Sequence, residues 1–280
     1  MNFPAKDEKQ SSPFFSVVIA TYNSALTLAT CINSITNQSF QDFEILVFDN
    51  DSKDGTVEII QAFASKFPCI GWRSAKDNGV YDAMNNGVRN ARGSWLYFIG
   101  SDDFLYDDSV FEKVAAMANN RKDKIIYGSV LVKGDAGWAS DGQVYDGKFS
   151  INKIIARNIC HQAIFYHREV FEKIGFFNEA YRICADHDFN IRAATSFKFQ
   201  FYNIIVATFS AGGMSTQHDP VFLNDFEKVI VKYHPARLPF LKVRSYKLSE
   251  QADFFFRENK LIRGLGLYAM YIWKRFINRT

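Results

Sequence analysis

Ser94-Trp95-Leu96-Tyr97-Phe98-Ile99-Gly100-Ser101-Asp102-Asp103 is the stretch that decides the fold. An apolar run with no polar face reads as a centrally buried strand, and this one breaks off at a glycine and delivers two adjacent carboxylates. In an open α/β sheet the loops beyond the carboxyl ends of the strands line the ligand crevice. Neighbouring carboxylates there repel each other and lose hydration, which is costly unless a cation or a donor-rich ligand offsets them. Hard divalent ions combine one or two carboxylates with substrate phosphates, so the pair points to a metal–diphosphate site. The bland alternative is that one Asp caps a helix beginning near Asp107-Asp108 while the other is solvated. The short acidic motif alone does not separate the two.

Two earlier runs, Phe14-Phe15-Ser16-Val17-Val18-Ile19-Ala20 and Phe43-Glu44-Ile45-Leu46-Val47-Phe48, have the same buried-strand character. Each gives way to turn-forming polar residues and then to a helical pattern. After the first, Ser24 is expected to N-cap a helix carrying Leu28, Cys31, Ile32 and Ile35 on one face. After the second, the run from Asp49 to Thr56 opens a helix through Val57, Ile60 and Phe63. Strand–helix alternation predicts a doubly wound, mainly parallel α/β sheet. Such a sheet would bring the loops at Thr21-Tyr22-Asn23, at Asp49 and at Asp102-Asp103 together. The first turn holds no Gly-x-Gly-x-x-Gly, and the chain has no Gly-Lys-Ser/Thr loop, so backbone cradling of a dinucleotide or triphosphate is not indicated. A Tyr can stack on a base and a carboxylate or amide can meet its edge, which with a metal-held diphosphate describes a sugar nucleotide.

These motifs, Ser16-Val17-Val18-Ile19-Ala20-Thr21-Tyr22-Asn23, Asp49-Asn50-Asp51-Ser52-Lys53-Asp54-Gly55-Thr56 and Ser101-Asp102-Asp103, resemble in order and spacing those of glycosyltransferase family 2, inverting enzymes with the GT-A fold. Gly79-Val80-Tyr81-Asp82-Ala83-Met84-Asn85-Asn86-Gly87 resembles a subgroup that builds bacterial surface polysaccharides. The resemblance implies that Thr21, Tyr22, Asp49 and Asn50 surround the base, that Asp77 lies beside the donor, that Asp102 faces ribose or phosphate, and that Asp103 holds Mg²⁺ or Mn²⁺. One departure is Ser101, a hydroxyl where the family's Asp-x-Asp has its first carboxylate. In the second half, Gln162 to Tyr166 reads as a strand and Arg168 to Gly175 as a short helix closed by glycine. Then comes Ala185-Asp186-His187-Asp188, where the resemblance implies that Asp186 takes the proton from the acceptor hydroxyl. Residues two apart on a helix point to different faces, so only one of Asp186 and Asp188 can look into the cleft. Asp188 reads better as a first-turn carboxylate favoured by the helix dipole.

His161, His167, His187, His218 and His234 lack zinc-ligand spacing. His161 stands where an acceptor would approach, although a histidine bonded to backbone is as good an account. His218 follows a flexible Gly212-Gly213 loop of the kind that closes over a donor, and solvation is the simpler expectation.

The 280-residue chain can hold one large α/β core with a remainder at its C-terminus. The expected division is a flexible 1–13, a catalytic domain over 14–235 (nucleotide half 14–105, acceptor half 106–235) and a helical tail over 236–280. The polar N-terminus is no signal peptide, and Cys31, Cys69, Cys160 and Cys184 lack paired spacing, which points to the reducing cytoplasm. Residues 238–280 carry nine Lys/Arg against three Asp/Glu, a net of +6, so the rest of a +3 chain is at −3. Leu265 to Trp273 followed by Lys274-Arg275 is too short to span a bilayer and suits either an interfacial helix on the inner membrane face or a packed one. A nucleic-acid partner is disfavoured because the main domain is mildly acidic. The expected activity is metal-dependent transfer of a hexosyl or N-acetylhexosaminyl group from a nucleotide sugar, most simply a UDP-sugar, to a carbohydrate or lipid-linked glycan acceptor. A non-catalytic sugar-nucleotide-binding subunit and a sugar-1-phosphate nucleotidyltransferase are the competing expectations, the latter weakened by the missing triphosphate loop.

Overall fold

The structure, a computed structural model, describes residues 12–118, 122–137, 139–213 and 219–234, together with Ala269. The lid candidate His218 and the expectations for the tail beyond 234 lie outside the described residues. The chain divides into two compact units, one ending at Asp219 and one beginning at Pro220. The first unit runs β1 (Phe15–Thr21), α1 (Leu28–Thr36), β2 (Phe43–Asp49), α2 (Thr56–Lys66), β3 (Ile70–Ser74), α3 (Val80–Asn90), β4 (Trp95–Gly100), β5 (Phe104–Leu105), α4 (Val110–Ala118), β6 (Ile125–Lys133), β7 (Val144–Tyr145), α5 (Ile151–Ala156), a 3₁₀ turn (His161–Ala163), β8 (Ile164–His167), α6 (Arg168–Ile174), α7 (Ala185–Ala193) and β9 (Phe199–Ser210). The second unit contributes α8 (Pro220–Tyr233), whose Phe222, Val229, Ile230 and Val231 are buried. Among the described residues no helix is long and apolar enough to cross a membrane.

One nine-stranded sheet, in the order β3-β2-β1-β4-β8-β6-β9-β5 with β7 beside β6, carries the whole first unit. β3, β2, β1 and β4 are all parallel, and β2, β1 and β4 are buried on both faces as central parallel strands are. Past β4 the direction changes: β8 pairs antiparallel with both β4 and β6, while β6 and β9 are parallel. This reversal brings the start of β8 to the same edge as the end of β4. Two sequence expectations shift here. The segment from Gln162 begins in the 3₁₀ turn, so its strand starts at Ile164. Ser24 is not the N-cap, because α1 starts at Leu28 behind Thr27 and the Ser24 hydroxyl instead meets Ser101 Oγ at 2.7 Å. A contact across the sheet edge has displaced the local one.

The core mixes aliphatic and aromatic side chains, with Phe15, Phe43 and Phe111 in contact at one end of the sheet. Leu28, Cys31, Ile32 and Ile35 of α1 are buried in the predicted pattern. Phe98, Phe171, Phe177 and Phe189 pack together beneath α6 and α7, with Phe171 and Phe189 stacked at 4.6 Å. α3 lies close on β1, and a Cβ built on Gly87 would sit 2.3 Å from Val18 Cγ1. Alanine in a helix is favoured over glycine by about 1 kcal/mol, whereas overpacking a tight contact costs about 1–3 kcal/mol. Gly87→Ala is therefore expected to destabilise the protein. A denaturant midpoint equal to or above wild type would show that the helix–sheet contact has slack.

Candidate active site

The loops after β1, β2 and β3 meet at one edge of the sheet. Thr21 and Asp49 are register partners at the ends of adjacent strands, and both are buried. The Asp49 carboxylate takes the Ser52 amide and hydroxyl and the Ser74 hydroxyl, the last at 2.6 Å, so it organises the loop from within. Asn50 donates its amide to Thr21 O, and its Oδ1 accepts the Asp77 amide at 3.0 Å. Asp77 in turn accepts the Gly79 amide at the start of α3, and burial, followed by the charges of Asp82 and Asp49, raises its pKa. Asn23 and Asp51 adopt left-handed backbone, which Asn and Asp tolerate better than other side chains. Asn23 is bonded on both sides to the second loop, its amide to Ser52 Oγ and its Oδ1 to the Lys53 amide. Two features remain available to a ligand. Tyr22 leaves 60% of its surface exposed at the mouth, and the buried Thr21 Oγ1 has no hydrogen-bond partner among the described residues.

The acidic pair meets at the end of β4, the residue at 102 exposed and its neighbour at 103 buried. Asp103 Oδ1 accepts the Ser210 amide at 2.8 Å, and Oδ2 accepts Gln162 Nε2 at 2.6 Å. Ser210 Oγ also donates to Asp102 O. Burial and then the Asp102 charge push the Asp103 pKa up to about 7, against the pull of Ser210, Gln162 and His161. The two carboxylates flank Gly100, where a Cβ would lie 2.7 Å from Asp102 Oδ1 and 2.8 Å from Asp103 Oδ2. Among the described residues no group of three or more His, Cys, Asp or Glu forms a metal cage. Mg²⁺ and Mn²⁺ sites completed by substrate phosphates do not need one. An all-oxygen pair, crowded, costly as two anions and with lone pairs left beyond those used by Gln162 and Ser210, fits such a cation.

The third carboxylate, Asp186, stands at the start of α7. Its Oδ1 accepts Tyr81 Oη at 2.8 Å and the His187 amide at 2.9 Å. Its Oδ2 accepts Asn158 Nδ2 at 2.7 Å and faces His161 Nδ1 at 3.5 Å. Burial alone would raise its pKa, but His161, by hydrogen bond and charge, then Tyr81 and His187 together bring it below the usual carboxylate value. Asp188 faces elsewhere, accepting Arg192 Nε at 2.8 Å, while Arg192 also ties the carbonyls of Ile174 and Phe176. His187 is held by Ile154 O, and its pKa is lowered by burial.

The sequence singled out none of Tyr81, Asn85, Asn158 or Gln162 as individual side chains, yet these join the halves. Tyr81 and Asn85 lie one turn apart on α3. Tyr81 reaches Ile183 O and Asp186, and Asn85 pairs with the backbone of Phe177 and with Glu179. Polar side chains on the face of a helix that also buries Ala83, Met84 and Gly87 were the available signal.

Open parallel strands, a reversal after the acidic pair and a carboxylate on the facing helix are the features of a GT-A type fold. The match to solved structures agrees. Staphylococcus aureus TarS 1-349 in complex with UDP-GlcNAc superposes with a TM-score of 0.66 at 19% identity, over 86% of this chain and 71% of that one. The mannosyltransferase PcManGT from Pyrobaculum calidifontis, in complex with GDP-Man and Mn²⁺, gives 0.58 at 13% identity, over 97% and 88%. Residues 16–175 match the model of glycosyl transferase family 2, and the chain belongs to that family. A PGL/p-HBAD biosynthesis glycosyltransferase of Mycobacterium tuberculosis is 39% identical over 214 residues, covering 73% of this chain and 80% of the relative.

Proposed function

We propose that the protein is an inverting glycosyltransferase that moves a sugar from a UDP-sugar to a hydroxyl of a carbohydrate or lipid-linked acceptor in surface polysaccharide synthesis. The observation that supports this most is the pairing, across one sheet edge, of two crowded carboxylates suited to a cation with a separate carboxylate held ionised by its donors. The complexes of TarS with UDP-GlcNAc and of PcManGT with GDP-Man support a nucleotide-sugar donor. In this reading the uracil stacks on Tyr22 and meets Thr21 and Asn50, with Asp49 shaping the loop beneath it. Asp77 lies beside the donor and Asp102 faces the ribose or phosphate.

Asp103 would hold Mg²⁺ or Mn²⁺, and a cation there would neutralise the charge that grows on the departing diphosphate. The acceptor oxygen attacks the anomeric carbon from the face opposite the diphosphate. The new C–O bond forms as the bond between that carbon and the phosphate oxygen breaks, UDP leaves, and the hydroxyl proton passes to Asp186. His161 sits beside Asp186 on the acceptor side.

Incubation with a panel of nucleotide sugars is expected to release UDP from at least one UDP-sugar, with water or a glycan as acceptor. Binding of UDP with no sugar released from any donor would leave a binding subunit instead. Asp103→Asn should abolish most turnover and the cation dependence of UDP affinity, and Gly100→Ala should do the same by filling the space between the carboxylates. Undiminished activity in excess EDTA would remove the cation from the scheme. Asp186→Asn is expected to slow transfer by about 10²–10⁴-fold with UDP affinity nearly unchanged, as loss of a general base does. Asp188→Asn should chiefly lower stability through Arg192, and the opposite ranking in folded variants would move the base.

A further inference from the structure

Asp186 is served by a chain of hydrogen bonds that begins deep in the core. Tyr166, fully buried on β8, donates to Asn190 Oδ1 at 2.7 Å. Asn190, also fully buried, donates through Nδ2 to Asn158 Oδ1 at 2.8 Å, and Asn158 Nδ2 donates to Asp186 Oδ2 at 2.7 Å. The direction of this chain is not arbitrary. A phenol has a single proton, and Asn190 Oδ1 is the acceptor it finds among the described residues. If Asn190 turned its amide over, a buried phenol proton would face an NH₂ group and lose its bond, which is costly in the interior. Fixing Asn190 fixes Asn158, because an amide whose oxygen is taken by one neighbour must offer its nitrogen to the next. The last amide can therefore present only N–H to the carboxylate.

We propose that Tyr166, Asn190 and Asn158 are positioning residues, a one-way relay that holds Asp186 rotated with an N–H always against its Oδ2, so that one lone-pair direction is left for the acceptor hydroxyl. A carboxylate offers about four such directions. Tyr81, whose one proton is shared with Ile183 O, and the His187 amide lie against Oδ1, and Asn158 fills one direction on Oδ2. The other direction on Oδ2 faces His161 Nδ1 across 3.5 Å, too long for a strong bond and the one an incoming hydroxyl can displace. Titratable groups face Asp186 from every element around it: Tyr81 from α3, Cys160 and His161 at the 3₁₀ turn, Tyr166 from β8, and Cys184 and His187 at α7. Burial first, and then the Asp186 charge, raises the Tyr166 pKa, so the phenol keeps the proton that starts the relay.

The proposal rests on Asp186 being the base, and its test separates the two. In protein labelled with ¹³C at aspartate side-chain carboxyls, the Asp186 signal is the one lost in Asp186→Asn. Tyr166→Phe keeps the ring and removes the donor. Asn158→Ala removes the last donor from a half-buried position and decides the matter if the core variant does not fold. Losing a donor to the ionised form favours the neutral acid, so the Asp186 midpoint should rise, by about one pH unit in Asn158→Ala and by less in Tyr166→Phe. Hydrolysis of the UDP-sugar turned over fastest in the panel should slow by about 10-fold with KM unchanged, and neither substitution should slow Asp186→Asn further. An unmoved midpoint in the folded variants overturns the relay while leaving the base in place. Full turnover by Asp186→Asn overturns the base and the relay with it.

Discussion

A carboxylate taken out of water costs several kcal/mol unless donors or a cation replace its hydration, and the structure is arranged around that demand. Asp103, 2% exposed, draws Gln162 from the turn before β8 and Ser210 from the end of β9 to the tip of β4. The antiparallel approach of β8 makes this possible, since it delivers the 3₁₀ turn to the edge where β1, β2 and β4 end. The neighbouring residues of that turn then serve both halves. Gln162 holds Asp103, and His161 faces Asp186.

The same demand recurs at the other buried acids with different partners, and the partners set what each can do. Asp49 is enclosed by hydroxyls and an amide, so it shapes a loop. Glu44 is paired with Arg92 at 2.8 Å and accepts Ser16 at the opposite edge of the sheet, where it is structural. Asp188 has Arg192. Of these acids only Asp103 is crowded by another carboxylate, and only Asp186 is both held ionised, by His161 first and then by Tyr81 and His187, and loosely closed on one side. The proposed chemistry falls where donors are incomplete.

Much of this was legible along the chain. β1, β2 and β4 announce themselves because a strand buried on both faces must be apolar throughout and must stop at turn formers. The residues at their tips, Thr21, Tyr22, Asp49, Asn50 and the acidic pair, follow from the rule that loops after parallel strands share an edge. Helical geometry allowed only one of Asp186 and Asp188 to look into the cleft, and the family resemblance chose Asp186. The acceptor half was less readable. β6 and β9 are partly exposed or irregularly paired, and they carry no comparable apolar block. Gln162 and Ser210 find Asp103 across 59 and 107 positions, and Tyr81 finds Asp186 across 105. Contacts of that separation leave no local pattern. Ser24 shows the converse, a sound local preference overruled by a hydroxyl from the turn after β4.

The central place of β1 has a consequence for synthesis. It pairs with β2, which follows soon after, and with β4, whose Trp95 lies about 80 positions beyond its partner Phe15. A ribosome adding roughly 5–20 residues per second needs on the order of 4–16 s to cross that interval. Throughout it, the edge of Phe15–Thr21 that β4 will cover presents unpaired amides and carbonyls on a largely apolar strand, a template for pairing with another nascent chain. The strand that anchors the finished sheet is thus an open edge for as long as the chain is unfinished.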